Sequence, residues 1–145
     1  MPTLVDTNVL LRLLQPHHSQ YNLSVNALAG LRQQNADLCV ARQNLVEFWV
    51  VATRPLDMNG LGMPPATAAG EIHGLHRLFR VLEGKPGTAA AWEKLVARHQ
   101  ISGKQAHDAH LVAVMEIHAV TDILTFNAAH FRRFAGITVI DPAQV

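Results

Sequence analysis

Within its first fourteen residues the chain changes from strand-like to helix-like patterning across a single acid. Pro2-Thr3-Leu4-Val5 is a short apolar run, Asp6-Thr7-Asn8 follows, and Val9-Leu10-Leu11-Arg12-Leu13-Leu14 resumes at helical length. A strand that feeds straight into a helix begins a strand–helix–strand unit. Chains built from such units lay their strands parallel and cover the sheet with helices. Ligands of open α/β sheets bind outside the carboxyl ends of the strands, and Asp6 stands at such an end. Asp6 therefore reads as the first ligand of a Mg²⁺ site. Asp, Thr and Asn are also good helix N-caps, so this stretch alone leaves capping equally open.

The rest of the chain continues the alternation. After a break at Pro16-His17-His18-Ser19-Gln20, Leu23, Ala27, Leu28 and Leu31 recur at helical spacing, predicting a helix from Leu23 to Gln34. Leu38-Cys39-Val40-Ala41 reads as the second strand. Leu45 to Ala52 is apolar nearly all round, which predicts a buried helix. Arg54-Pro55 stops it, and residues 57–63 form a loop rich in turn residues. Pro64-Pro65 opens a helix that runs from Ala66 to Leu82, and Thr88 caps another through His99. These two read as an antiparallel hairpin, with Arg77, Arg80, Lys94 and Arg98 on solvated faces. Ser102 with Gln105 matches a capping box for a helix ending at His118. Ile123 to Phe126 is a strand, residues 128–134 a short helix, and Ile137 to Ile140 the last strand. With room for a further hidden strand, the expected fold is α/β. It has three layers: a mostly parallel central sheet of about four or five strands, and helices on both faces.

The length of 145 residues suits a single domain over residues 1–145. Hydrophobic residues make up 49% and charged residues 16%, enough for a substantial core and against disorder. A net charge of +1 rules out a strong global basic field, so nucleic-acid contact must come from a local patch. The single cysteine, Cys39, allows no internal disulfide and fits a reducing, cytoplasmic setting. No basic segment precedes a long apolar run, so neither a signal peptide nor a membrane span is expected.

Two more acids stand out. Glu47 interrupts the apolar helix, and Glu is rarely buried unless it is paired or binds a metal. A capping box between Asn44 and Glu47 is the competing account. Asp108 falls on the second turn of its helix, too late to be the cap, among Ala109, Val112, Ala113 and Met115. A plain surface acid is the competing account there. Parallel strands share one carboxyl edge, so Asp6 and Asn127 meet if their strands are neighbours, and helices starting at that edge bring in Glu47 and Asp108. Converging carboxylates repel and their pKa values rise; a hard cation such as Mg²⁺ resolves this. His107 and His110 lack a third ligand for zinc and read as surface or substrate-facing residues. A metal on a carboxylate rim suits phosphodiester hydrolysis, with Glu47 or Asp108 helping to orient or deprotonate the water. Arg42, Arg54, Lys104, His107, His130, Arg132 and Arg133 flank the acids in sequence and are candidate nucleic-acid backbone contacts.

Val5-Asp6-Thr7-Asn8-Val9-Leu10 resembles the opening motif of PIN-domain nucleases. His107-Asp108-Ala109-His110-Leu111-Val112-Ala113 resembles the third acidic motif of that family, and Leu124-Thr125-Phe126-Asn127-Ala128-Ala129-His130-Phe131 its closing T-x-N-x-x-x-F segment. Glu47 falls in the expected second helical block. The resemblance spans the whole chain and, at this size, is to toxins of the VapC type from type II toxin–antitoxin pairs. It implies an endoribonuclease that depends on Mg²⁺ or Mn²⁺, forms a homodimer and is blocked by a small antitoxin. Carried over by position, the acids are Asp6, Glu47 and Asp108, with Thr7, Asn8, Thr125 and Asn127 as secondary or water contacts. Many relatives have a fourth acid where this chain has Asn127, which favours one ion over two. Asp122 precedes its strand and belongs at the opposite end of the sheet. One alternative is a haloacid-dehalogenase-type phosphatase, which would want a second acid where Asn8 stands. The other is a non-catalytic RNA-binding module.

Overall fold

Each strand of this computed structural model, which describes all 145 residues, hands the chain to helical structure on one side of the sheet or the other. β1 (Pro2–Val5) runs into α1 (Thr7–Arg12) and α2 (Tyr21–Gln33). β2 (Asp37–Ala41) runs into α3 (Arg42–Thr53), a 3-10 turn at Leu56–Met58, and α4 (Pro65–Leu78). β3 (Arg80–Leu82) is followed by α5 (Thr88–Arg98) and α6 (Gln105–Ile117), β4 (Asp122–Leu124) by α7 (Ala128–Phe131), and β5 (Thr138–Ile140) by a 3-10 turn at Pro142–Gln144. The five strands form one sheet in the order β3-β2-β1-β4-β5, and all four pairings are parallel. No helix is long and apolar enough to cross a membrane.

Strand alternation splits the core into two. Side chains along a strand point to opposite faces. Leu4, Cys39, Ala41 and Ile123 turn to the side of α5, α6 and α7, while Val5, Leu38, Val40 and Leu124 turn to the side of α1 to α4. β1 lies in the middle of the sheet and is covered on both faces. That is why its sequence reads as an unbroken apolar run rather than an alternating one.

Four expectations are corrected. The helix after Pro64-Pro65 ends at Leu78 rather than Leu82. Phe79 is extended, with φ −131° and ψ 143°, and Arg80–Leu82 is the hidden strand, paired with β2. The helical hairpin is therefore absent: α4 buries Leu75 on one face of the sheet and α5 buries Leu95 on the other. Arg80 is not simply solvated but forms an ion pair with Asp37 at 2.6 Å. Helix α3 is not buried all round; Leu45, Phe48 and Ala52 face the core, whereas Val46, Trp49 and Val50 are exposed.

Candidate active site

Asp6 takes the capping role that the sequence left open, at the place in the sheet where the ligand reading puts it. It is the N-cap of α1, with Oδ1 accepting from the Thr7 backbone N–H at 2.8 Å. It is also buried at the carboxyl edge of the sheet, next to β4, whose Leu124 carbonyl accepts from the Asp6 backbone N–H. The second carboxylate oxygen accepts from the Thr125 hydroxyl at 2.7 Å and from Asn8 Nδ2 at 3.4 Å. Asn8 also donates to Thr125 Oγ1 and accepts the Phe126 N–H, and Asn127 N–H donates to Thr125 Oγ1. Thr7, Asn8, Thr125 and Asn127 thus tie the ends of β1 and β4 around one acid. Thr7 and Asn8 are not the cap themselves.

Glu47 arrives from α3. Its Oε2 accepts from the Thr7 hydroxyl at 3.1 Å and its Oε1 from Gln43 Nε2 at 2.8 Å. The competing account, a capping box between Asn44 and Glu47, does not form. α3 starts directly after β2, so Asn44 lies at its third position and its Oδ1 accepts from the Ala41 N–H at 2.8 Å. Asn44 Nδ2 donates to Thr7 Oγ1 at 3.0 Å. Asp108 arrives from α6, on the first turn rather than the second, because the helix starts at Gln105. The Ser102 capping box is absent; Gln105 Oε1 instead accepts from Arg133 at 2.6 Å. Asp108 Oδ2 lies 3.2 Å from His130 Nδ1, so one of the three acids has a cationic partner when that imidazole is protonated.

Burial, and then the neighbouring Glu47 and Asp108, raise the Asp6 carboxyl to about 6, against the hydrogen bonds from Thr125 and Thr7 that pull it down. Asp108 is also raised, by burial first and by Glu47, while His130 and His107 oppose the shift. The three acids therefore feel one another across the carboxyl edge. A cleft of about 450 Å³ opens there, lined by Glu47, Asp108, Asn127, Arg54, Lys104, His107 and His130. Asp6 is not one of its walls; it is 7% exposed and linked to the wall residue Glu47 through Thr7.

Of the candidate RNA contacts, Lys104, His107, His130 and Arg54 line this cleft. Arg42, Arg132 and Arg133 lie outside it, and Arg42 is paired with Glu83 at 2.5 Å. His110 contacts Gln43 Oε1 at 2.6 Å. The sequence reading passed over Gln43 and gave Asn44 only a capping role. Gln43 precedes Glu47 by one helical turn and also donates to the His107 carbonyl, linking α3 to α6. That one-turn spacing was the available signal.

The donors on this edge are carboxylate and amide oxygens, the hard set that Mg²⁺ prefers. No three His, Cys, Asp or Glu side chains are close enough to cage an ion by themselves. The arrangement fits an ion held by one or two carboxylates and completed by water.

The family model described as PIN domain matches residues 3–137. Among curated proteins no sequence relative matches. Among solved structures, the chain is similar to VapBC-1 from nontypeable Haemophilus influenzae, with a TM-score of 0.72 and 15% identity over 98% of each chain. It is similar to VapBC2 from Rickettsia felis bound to a promoter DNA fragment, with a TM-score of 0.70 and 12% identity over 97% of this chain and 98% of that one. It is also similar to Mycobacterium tuberculosis VapC20, described as a sarcin-ricin loop cleaving toxin, with a TM-score of 0.63 and 18% identity over 88% and 92%.

Proposed function

This chain belongs to the PIN domain family, and from that premise we propose that it is a Mg²⁺-dependent endoribonuclease, the toxin of a type II toxin–antitoxin pair. The observation that carries the proposal is the gathering of Asp6, Glu47 and Asp108 at the carboxyl edge of the sheet, at a cleft whose other walls are basic or amide. Two carboxyls, Asp6 and Asp108, raised by burial and by the nearby charge of Glu47, are a poor arrangement for stability and a good one for a cation.

When bound, Mg²⁺ or Mn²⁺ supplies a water nucleophile at neutral pH and neutralises charge at the phosphate. Asp6 and Asp108 are the residues to hold it. The chain's own part is orientation. Thr125, Asn8 and the Thr7 N–H fix both oxygens of Asp6. Gln43 and Thr7 fix Glu47, which accepts the proton from the attacking water. Lys104, His107, His130 and Arg54 hold the RNA backbone. Asn127 offers a neutral oxygen where a fourth carboxylate would favour a second ion, so a single ion is expected.

The toxin role is supported by structural neighbours that are VapBC complexes and by one described as cleaving the sarcin-ricin loop. On that role the chain forms a homodimer in the cytoplasm and is held inactive by a small antitoxin over the cleft. In a cleavage assay on single-stranded and tRNA-like RNA, Mg²⁺-dependent cutting is expected, and Asp6→Ala and Asp108→Ala should each abolish it. Unchanged cutting in either variant sinks the assignment. RNA binding without cutting in any divalent metal would favour a non-catalytic module, and hydrolysis of small phosphate esters lost with Asp6→Asn would favour a phosphatase.

A further inference from the structure

Helix α3 runs out at Arg54, and the chain beyond it winds back over that residue. Asn59 takes a left-handed backbone with φ 65°. Gly60 passes so close that a Cβ there would come within 2.0 Å of the Arg54 carbonyl oxygen. Gly60 N–H donates to the Pro55 carbonyl at 3.0 Å and Gly62 N–H to the Arg54 carbonyl at 2.8 Å. The result is a fixed guanidinium. Arg54 Nη2 donates to the Asn59 carbonyl at 2.8 Å, while Nε is buried with no hydrogen-bond partner.

Arg54 lines two clefts. One is the acidic cleft described above. The other, of about 350 Å³, lies between α1 and the wound loop, with Arg12, Gln15, His18, Arg54 and Asn59 among its walls and no acid. Arg12 donates only to neutral amides, Gln20 Oε1 at 2.9 Å and Gln15 Oε1 at 2.8 Å. His18 Nδ1 accepts from the Gln20 N–H, which leaves Nε2 to carry the proton. Two guanidinium groups and an imidazole N–H thus border one small cleft, and none of them has a carboxylate partner. A guanidinium removed from bulk water is ordinarily paired, and its planar fork matches the oxygens of a phosphate.

We propose that this second cleft holds a backbone phosphate of the RNA substrate, a few nucleotides from the bond cut at the acidic cleft, with Arg54 spanning the two. The inference rests on the ribonuclease reading. Its continuity with the acidic cleft through Arg54 is what favours the same RNA strand over a separate acidic protein.

The test is fluorescence anisotropy of labelled single-stranded RNA on the full chain in EDTA, which prevents cutting. The probe is an oligonucleotide of about ten residues, long enough for one strand to pass from one cleft to the other. Arg12→Gln should weaken binding of this RNA about fivefold and lower the slope of log affinity against log salt by about 0.7. Arg12→Lys should restore most of the loss. His18→Gln should give a smaller loss in the same sense, and serves if Arg12→Gln does not fold. If the wild type binds and cuts RNA but neither substitution changes affinity or slope, the subsite is overturned and the cleft is left to an acidic protein ligand, with the nuclease reading intact. A loss with Arg12→Gln that Arg12→Lys leaves unrestored overturns it too, because a damaged fold and not a missing charge then lowers the affinity. A wild-type chain that neither binds nor cuts RNA overturns the nuclease reading itself.

Discussion

Asp6 is held by three donors and crowded by two acids. The hydrogen bonds favour its charged form; burial, Glu47 and Asp108 disfavour it, and they win, leaving the carboxyl at about 6 against 3.8 for the free group. The folded chain without metal therefore holds this proton more tightly than the unfolded chain does. The stabilising contribution is full below about pH 4 and is lost as pH rises through about 6, a difference of about 3 kcal/mol over the window. Asp6→Asn keeps the shape and removes the charge. It should make the metal-free protein more stable at pH 7.5 by about 1–3 kcal/mol and flatten the pH dependence between 4 and 7. Urea melts at several pH values check this, and a variant less stable than wild type at pH 7.5 would mean that the hydrogen bonds outweigh burial.

Helix α3 shows how an element can be read correctly in kind and wrongly in its faces. Its apolar run marks a helix, but only Leu45, Phe48 and Ala52 point inward, because a helix on a sheet has one buried stripe. What places Glu47 is the start of the helix. Asn44, fully buried, accepts from Ala41 N–H and donates to Thr7, and so ties the end of β2 to the start of α1. Asn44→Ala should cost about 2–4 kcal/mol by leaving a buried N–H unmatched, whereas Val46→Ala, on the exposed face, should stay within about 0.5 kcal/mol. Chemical denaturation of both variants decides the matter; similar costs would remove Asn44 from this role. The hidden strand that the sequence left unplaced, β3, has only three residues, too few for periodicity to mark, and its Val81 and Leu82 also fit the spacing of the preceding helix.

With the proposed ion at the carboxyl edge, the whole molecule would couple metal, protons and folding through one edge of the sheet. A cation that binds the folded chain alone raises its stability by mass action, about 2.7 kcal/mol at a concentration of a hundred times the dissociation constant. That binding needs Asp6 ionised. Mg²⁺ should therefore raise the melting temperature at pH 8 and hardly at all at pH 5, below the Asp6 titration near 6. Thermal melts with and without Mg²⁺ at the two pH values check this, and an equal rise at both would place the ion elsewhere.

The strand–acid–helix opening, the alternation of apolar runs and the order of the acids settled the layered parallel fold and singled out Asp6, Glu47 and Asp108. Those features are local, and period, breakers and misplaced charges are written residue by residue. The tertiary structure decided the rest, because the rest depends on residues far apart in the chain. It put β1 beside β4, so that Thr125 reaches Asp6 from 119 residues away. It gave His130 to Asp108, Thr7 to Glu47 and Arg42 to Glu83. It turned Arg54, one basic residue among many in the sequence, into the wall between an acidic cleft and a basic one. Hydrogen bonds reach only about 3 Å and screened charges about 10 Å, so partners are chosen by packing rather than by spacing along the chain.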